Sequence, residues 1–285
     1  MEKTTQNSYH THISSKHNAL ELKLDEVWRY RDLILLFTKR NFVVRYKQTI
    51  LGPAWILLNP LFSSIIYAIV FGGIAKIGTE GVPTILFYLC SNAIWLFFAT
   101  CVTTNAQTFT NNADVFGKVY FPRLTMPISN MLSAGIHFCV QMLLVLGFLG
   151  FYLVQGAVHP NWACWLLIPV VLLHLGMLGL GCGIIVSSLT TKYRDLAILV
   201  DFAMQLWMYA TPVVYPFSTL EPGWIRTILL INPVTAPVEF FRYAILGQGS
   251  ILPGVLVLSW AITIVVMLIG IVIFNKVERT FMDTV

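Results

Sequence analysis

Charge is scarce in this sequence. Of its 285 residues, 11% are charged and 57% are hydrophobic, and the mean hydropathy is +0.75. Soluble domains carry about 25% charged and about 45–50% apolar residues, so the composition excludes an ordinary water-soluble fold. Signatures of chemistry are missing too. Nothing matches the GxxxxGK[ST] phosphate loop, HExxH, GxSxG or a zinc-spaced Cys/His set. Catalytic, cofactor-binding and metal residues are accordingly expected to be none, and the chain is not expected to hydrolyse ATP or cut a covalent bond by itself. The cysteines Cys90, Cys101, Cys139, Cys164 and Cys182 form no CxxC pair and lie in or beside apolar runs. They read as small buried hydrophobes, not a disulfide frame or metal site. Residues 1–23 are polar and rich in His, Ser and Lys, with no apolar core. A flexible head is expected there, and no cleavable signal peptide.

Long apolar runs are what the chain has in abundance. A bilayer core takes about 20 apolar residues per helix. Six stretches qualify, at 53–75, 84–108, 128–154, 162–188, 196–216 and 252–274. The sequence thus predicts an all-α integral membrane protein of six transmembrane helices, with a transmembrane domain over 51–275 and a tail over 276–285. Fifteen of the eighteen Lys and Arg fall on one side of that arrangement, leaving Lys76, Arg226 and Arg242 on the other. The positive-inside rule then places both termini in the cytoplasm. It also accounts for the net charge of +5 without nucleic acid as a partner.

Three connecting segments stand out. Over 24–50, Leu24, Val27, Trp28, Ile34, Leu35 and Phe42 recur at helical spacing, with Asp25, Arg29, Asp32 and Lys39 on another face. This predicts an amphipathic helix in the headgroup region, with Lys39, Arg40, Arg45 and Lys47 meeting anionic lipid; an ordinary juxtamembrane anchor is the alternative. Residues 109–127 are too long and too patterned for a simple turn. Residues 213–250 are apolar for an aqueous loop and broken by Pro216, Pro222, Pro233 and Pro237, with Pro212 just before them. Such pieces predict re-entrant helices before the last span. Irregular backbone at that depth requires cover from protein or water.

Ionisable residues within the apolar runs are few. His137 and His174 read as packed, hydrogen-bonded residues rather than a proton relay, although membrane-embedded ionisable groups are frequently functional. Asp201 is expected to pair with Lys192 or Arg194. The absence of an acidic chain argues against ion-coupled transport. Gly176, Gly179, Gly181 and Gly183 are expected to serve close helix packing. Aromatics make up 13% of the chain. Tyr67, Tyr88, Trp95, Phe98, Trp207, Tyr209 and Tyr215 gather toward span ends. An interfacial belt explains them; the sharper reading is a pathway on which the apolar faces of sugars stack.

The stretch Arg45-Tyr46-Lys47-Gln48-Thr49-Ile50-Leu51-Gly52-Pro53-Ala54-Trp55, with Asn59-Pro60-Leu61 after it, resembles the opening of the permease subunit of ABC-2-type polysaccharide exporters. Further along come Val119-Tyr120-Phe121-Pro122-Arg123 with Pro127, Lys192-Tyr193-Arg194-Asp195-Leu196, Tyr209-Ala210-Thr211-Pro212-Val213-Val214-Tyr215, Asn232-Pro233 and Phe274-Asn275-Lys276-Val277-Glu278. The ordered set covers residues 24 to 285. The resemblance implies six spans, an amphipathic interface helix and re-entrant external helices. It also implies two permease copies paired with two copies of a separate ABC ATPase, which binds the ATP and magnesium that this chain does not. Asp114, Phe116, Lys118, Tyr120 and Arg123 then belong to the loop that docks on the ATPase. Trp28, Arg29, Arg31, Arg40 and Arg45 belong to the interface helix, and the seven aromatics above to a glycan path. The implied cargo is a lipid-linked glycan, O-antigen first, capsule or teichoic acid next, carried across the bacterial cytoplasmic membrane. A permease for drugs or other lipids is one competing reading. A membrane enzyme on polyprenyl-linked sugars is another, with Glu221, Glu239 and Arg242 as its candidates; these three read more simply as a structural ion pair.

Overall fold

The computed structural model describes residues 24–116, 118–119, 121–191, 193 and 195–281. The polar head, Tyr120, Lys192 and Arg194 lie outside the described residues. All regular structure described is helical. The chain opens with α1 (Leu24–Arg29) and α2 (Arg31–Tyr46), separated by a break at Tyr30. Asp32 in the first turn of α2 and Arg45 in its last complement the helix dipole. The amphipathic segment expected over 24–50 is therefore two helices, and it stops at Tyr46. Gly52 has φ +53, a left-handed conformation that glycine adopts without strain, and Pro53 starts the next helix with its fixed φ. From there a tight turn at Gly52–Ala54, α3 (Trp55–Tyr67) and a wide π turn at Ala68–Ile74 run on as one 23-residue apolar span.

The core forms around α4 (Thr84–Ala106). Its most apolar stretch is 78% buried, against 17–22% for the spans at Gly52–Ile74, Thr125–Val154 and Pro253–Val277. A helix that is apolar all round belongs inside a bundle, and α3 together with the helices at Thr125–Val154, Ile168–Thr190, Leu196–Tyr209 and Thr235–Leu246 surrounds this one. Two short helices, α5 (Thr108–Asn111) and α6 (Ala113–Phe116), carry the chain into α7 (Thr125–Val154). At 30 residues α7 spans about 45 Å, more than a hydrocarbon core of about 30 Å, so it projects beyond one. The predicted fourth span divides: α8 (Trp162–Trp165) is a separate turn, and α9 (Ile168–Thr190) starts with Pro169 in its first turn.

Glycines bring α9 close to two neighbours. A Cβ on Gly183 would lie 2.9 Å from the Val102 carbonyl of α4, and one on Gly181 would lie 3.2 Å from the Met267 backbone of α13 (Pro253–Phe281). Small residues that let backbones approach are how apolar helices associate, so the glycine expectation holds in detail.

The fifth predicted span, 196–216, is corrected. α10 (Leu196–Tyr209) has 14 residues, about 21 Å, because Pro212 can neither donate to a helix nor tolerate a helical residue before it. After it come α11 (Trp224–Ile231) and α12 (Thr235–Leu246), bent by 85° at the Asn232–Pro233 break. Five described helices are long and apolar enough to cross a membrane, and six if the bent pair counts as one. Asn232 holds the bend with its full hydrogen-bonding capacity. Its Oδ1 accepts from Trp207 Nε1 at 3.1 Å and Val234 N at 3.1 Å, and its Nδ2 donates to the Ala210 carbonyl at 2.7 Å and Thr211 Oγ1 at 3.0 Å.

Candidate functional site

The features singled out from the sequence gather at the two ends of the bundle. At the basic end, α2 packs along the first half of α7. Thr38 Oγ1 donates to the Ser129 carbonyl at 3.4 Å, Asn41 Nδ2 to Asn130 Oδ1 at 3.0 Å, and the Tyr46 hydroxyl meets His137 Nε2 at 3.3 Å. The contacts advance together along both helices, so α2 runs beside α7 rather than apart from the bundle. Burial pushes the Tyr46 phenol above its ordinary value, against the opposing pull of Arg45. Its hydroxyl is therefore protonated at neutral pH and available for that bond.

An aromatic chain joins α2, the α4–α7 connection and α13. Phe37 lies 5.6 Å from Phe121, Phe121 5.6 Å from Phe116, Phe116 5.9 Å from Phe109 and Phe109 4.8 Å from Phe274, centroid to centroid. All five rings are buried. The connection is also tied to α9, where Ser187 Oγ accepts from Phe109 N at 3.2 Å. The coupling residues read from the sequence thus separate. Asp114 and Lys118 are exposed. Phe116 is buried in the aromatic chain, and Arg123 is buried with its guanidinium 5.6 Å above the Phe116 ring. Those two brace the loop from inside and present no surface. Tyr120 lies outside the described residues. Trp28, Arg29 and Arg31 face outward, Arg40 is half-buried with its guanidinium 4.8 Å from the Phe37 ring, and Arg45 is exposed.

Between α2, α4 and α7 lies a polar cleft. Two cavities of about 530 and 310 Å³ share Arg45, Thr100 and His137. Asn41, Asn112 and Asn130 line the larger one. Sequence reasoning passed over Asn41 and Asn130, because amides that meet across 89 positions leave no local pattern.

At the opposite end the anticipated ion pair is present with a different membership. Glu239 pairs with Arg242 one turn along α12, both fully buried, whereas Glu221 is exposed and takes no part. Glu239 accepts from Phe217 N at 3.2 Å and Ser250 N at 3.3 Å. Arg242 donates to the Tyr215 carbonyl at 3.4 Å and lies 4.7 Å over the Phe87 ring. The pair pins the segments on either side of the bent helices. Both side chains are buried in these contacts, so neither is accessible as an acid or a base.

Of the seven aromatics read as a path, Tyr88, Trp95 and Phe98 are enclosed in the core around α4. The apolar all-round character of that helix draws its rings inward, so they offer no surface. Tyr209 is exposed, while Tyr67, Trp207 and Tyr215 are half-buried. His174 stacks on Trp260 at 4.2 Å and bonds Thr263 Oγ1 at 2.9 Å, the packed role anticipated for it. Asp201 is exposed on α10, and the partners expected for it lie outside the described residues. Among the cysteines, Cys90 and Cys101 are buried, Cys164 and Cys182 half-buried, and Cys139 exposed; the last departs from expectation because it sits on the outward face of α7. Among the described residues no group of three or more His, Cys, Asp or Glu is placed to hold a metal ion.

The sequence has known relatives. The ABC-2 type transporter family matches residues 32–246, well over half of the chain. An O-antigen export system permease protein of Klebsiella pneumoniae, RfbA, is 28% identical over 257 residues, covering 88% of this chain and 94% of the relative. A second from the same species is 27% identical over 253 residues with the same coverage. One from Myxococcus xanthus is 28% identical over 221 residues, covering 76% and 81%. By the span of that family match, and by the bundle that carries it, this chain belongs to the ABC-2 type transporter family.

Proposed function

We propose that the chain is the transmembrane permease of an ATP-driven exporter of lipid-linked polysaccharide, with O-antigen as the foremost cargo. The observation that carries this reading is the near full-length similarity to O-antigen export permeases. Two copies form the path, and a separate ABC ATPase, also in two copies, supplies ATP hydrolysis. Both termini face the cytoplasm of a bacterial inner membrane. The ATPase docks on the exposed Asp114 and Lys118, with Trp28, Arg29 and Arg31 at the edge of the same face. Closure of the ATPase pair displaces the loop. The aromatic chain from Phe116 through Phe121 to Phe37 then passes that displacement to α2, because close-packed rings transmit strain instead of absorbing it.

The accessible rings Tyr67, Trp207, Tyr209 and Tyr215 supply the stacking surface for sugars. Such contacts are weak and repeated, as transit of a polymer demands. The sequestered Glu239–Arg242 pair disfavours a membrane enzyme at that end. The test is a deletion strain of the source organism, with long-chain glycan assayed separately at the surface and inside. Glycan lost from the surface and accumulating inside is the expected outcome. Loss of total glycan would point to synthesis, and no change in either pool would mean another cargo.

A further inference from the structure

The cleft between α2, α4 and α7 has a chemistry that the export reading leaves unused. Arg40 and Arg45 both line it, and among the described residues no Asp or Glu does. Arg40 donates to the Asn112 amide oxygen at 3.3 Å and so is held in place without being neutralised. Arg45 has no hydrogen bond or ion pair among the described residues. Amides and hydroxyls fill most of the remaining wall, and Gln141, which lines the smaller cavity, has a buried Oε1 with no hydrogen-bond partner. Two cations without an anion, in a roomy cleft walled by amides and hydroxyls, form a receptor for a phosphate group.

The surroundings decide what carries that phosphate. Trp55 and Ile56 line the smaller cavity, and beside it Val44, Ile50 and Leu51 are exposed apolar residues. The cleft lies at the turn where α2 gives way to the first span, within a few residues of hydrocarbon. A free inorganic anion gains nothing from that apolar rim, whereas an amphiphile satisfies both halves.

We propose that this cleft binds the phosphate headgroup of an anionic membrane lipid, seating it between the interface helix and the core. Arg40 and Arg45 engage the phosphate, Asn41, Asn112 and Gln141 engage the polar headgroup, and the acyl chains leave past Trp55. The lipid then acts as a wedge fixing the position of α2 against α7. The proposal does not depend on what the transporter exports.

The purified full-length chain in phosphatidylcholine nanodiscs, titrated with phosphatidylglycerol and read by native mass spectrometry, tests it. A single phosphatidylglycerol retained in preference to phosphatidylcholine is expected. The Arg40→Gln/Arg45→Gln pair should weaken that retention at least about tenfold, the loss of charged hydrogen bonds. Lys76→Gln, an exposed cation just past the far end of the first span, should leave it unchanged, and Arg45→Lys should preserve most of it. Inorganic pyrophosphate alone, at millimolar concentration, separates the sources: binding as tight as the lipid's would overturn the lipid assignment. Equal retention of phosphatidylcholine, or equal loss with Lys76→Gln, would overturn the site. Should the double variant fail to fold, Gln141→Leu in the smaller cavity gives the same readout, and retention unaffected by it and by Arg45→Gln alone refutes the proposal.

Discussion

Arg242 and Glu239 carry the sharpest consequence at the scale of single residues. Two charges fully removed from solvent are tolerated because each meets the other together with backbone groups. Removing one partner leaves the other buried and uncompensated, which costs about 3–5 kcal/mol. Glu239→Ala should therefore lower the thermal unfolding midpoint in detergent sharply, whereas Glu221→Ala, an exposed neighbour, should leave it in place. Equal midpoints for the two variants would show that the pair does not hold the bent helices. The sequence offered three candidate members for this contact and only a weak means of choosing. Helical spacing favours a Glu at i with an Arg at i+3, but the choice was made by Phe217, Tyr215 and Ser250, which lie far along the chain and close in space.

Among elements, the α4–α7 connection is where stability and coupling come apart. Asp114 and Lys118 face out, and Phe116 and Arg123 face in. Asp114→Ala/Lys118→Ala should reduce ATPase stimulation and export in a reconstituted complex, with the melting temperature of the permease unchanged. Phe116→Ala removes a ring from the centre of the aromatic chain, at about 3–5 kcal/mol, and should lower the melting temperature before any assay of transport. If both variants shift stability alike, the loop is a structural unit and docks nothing. At the glycine contacts, Gly183→Val should destabilise by about 1–3 kcal/mol, since its Cβ would lie 2.9 Å from the Val102 carbonyl and overpacking must displace one helix. A thermal midpoint equal to wild type would contradict that packing. The helices themselves were legible wherever apolar runs exceeded a bilayer's thickness. Their ends were less so. α10 stops at Tyr209 because of a proline three residues later, and the apolar residues beyond it are buried by tertiary contacts instead of lipid.

At the level of the whole molecule, the distribution of basic residues predicts how the bundle is oriented. Reporters that function only in the cytoplasm should be active when fused to either terminus. A maleimide that cannot cross membranes should label Glu221→Cys, in a cysteine-free background, from outside intact cells. Labelling of Glu221→Cys only after lysis would invert the topology. The sequence by itself determined that this protein is a helical membrane bundle, because hydropathy and charge are summed along the chain and need no knowledge of neighbours. It also held the ordered motifs by which the family is recognised. The tertiary structure alone decided which aromatic rings are enclosed and which keep a surface, which glutamate meets Arg242, and that α2 and α7 enclose a cationic cleft with no acid in its wall. Each of these depends on contacts between residues distant in sequence, and burial, pairing and cavity shape exist only once the chain has closed on itself.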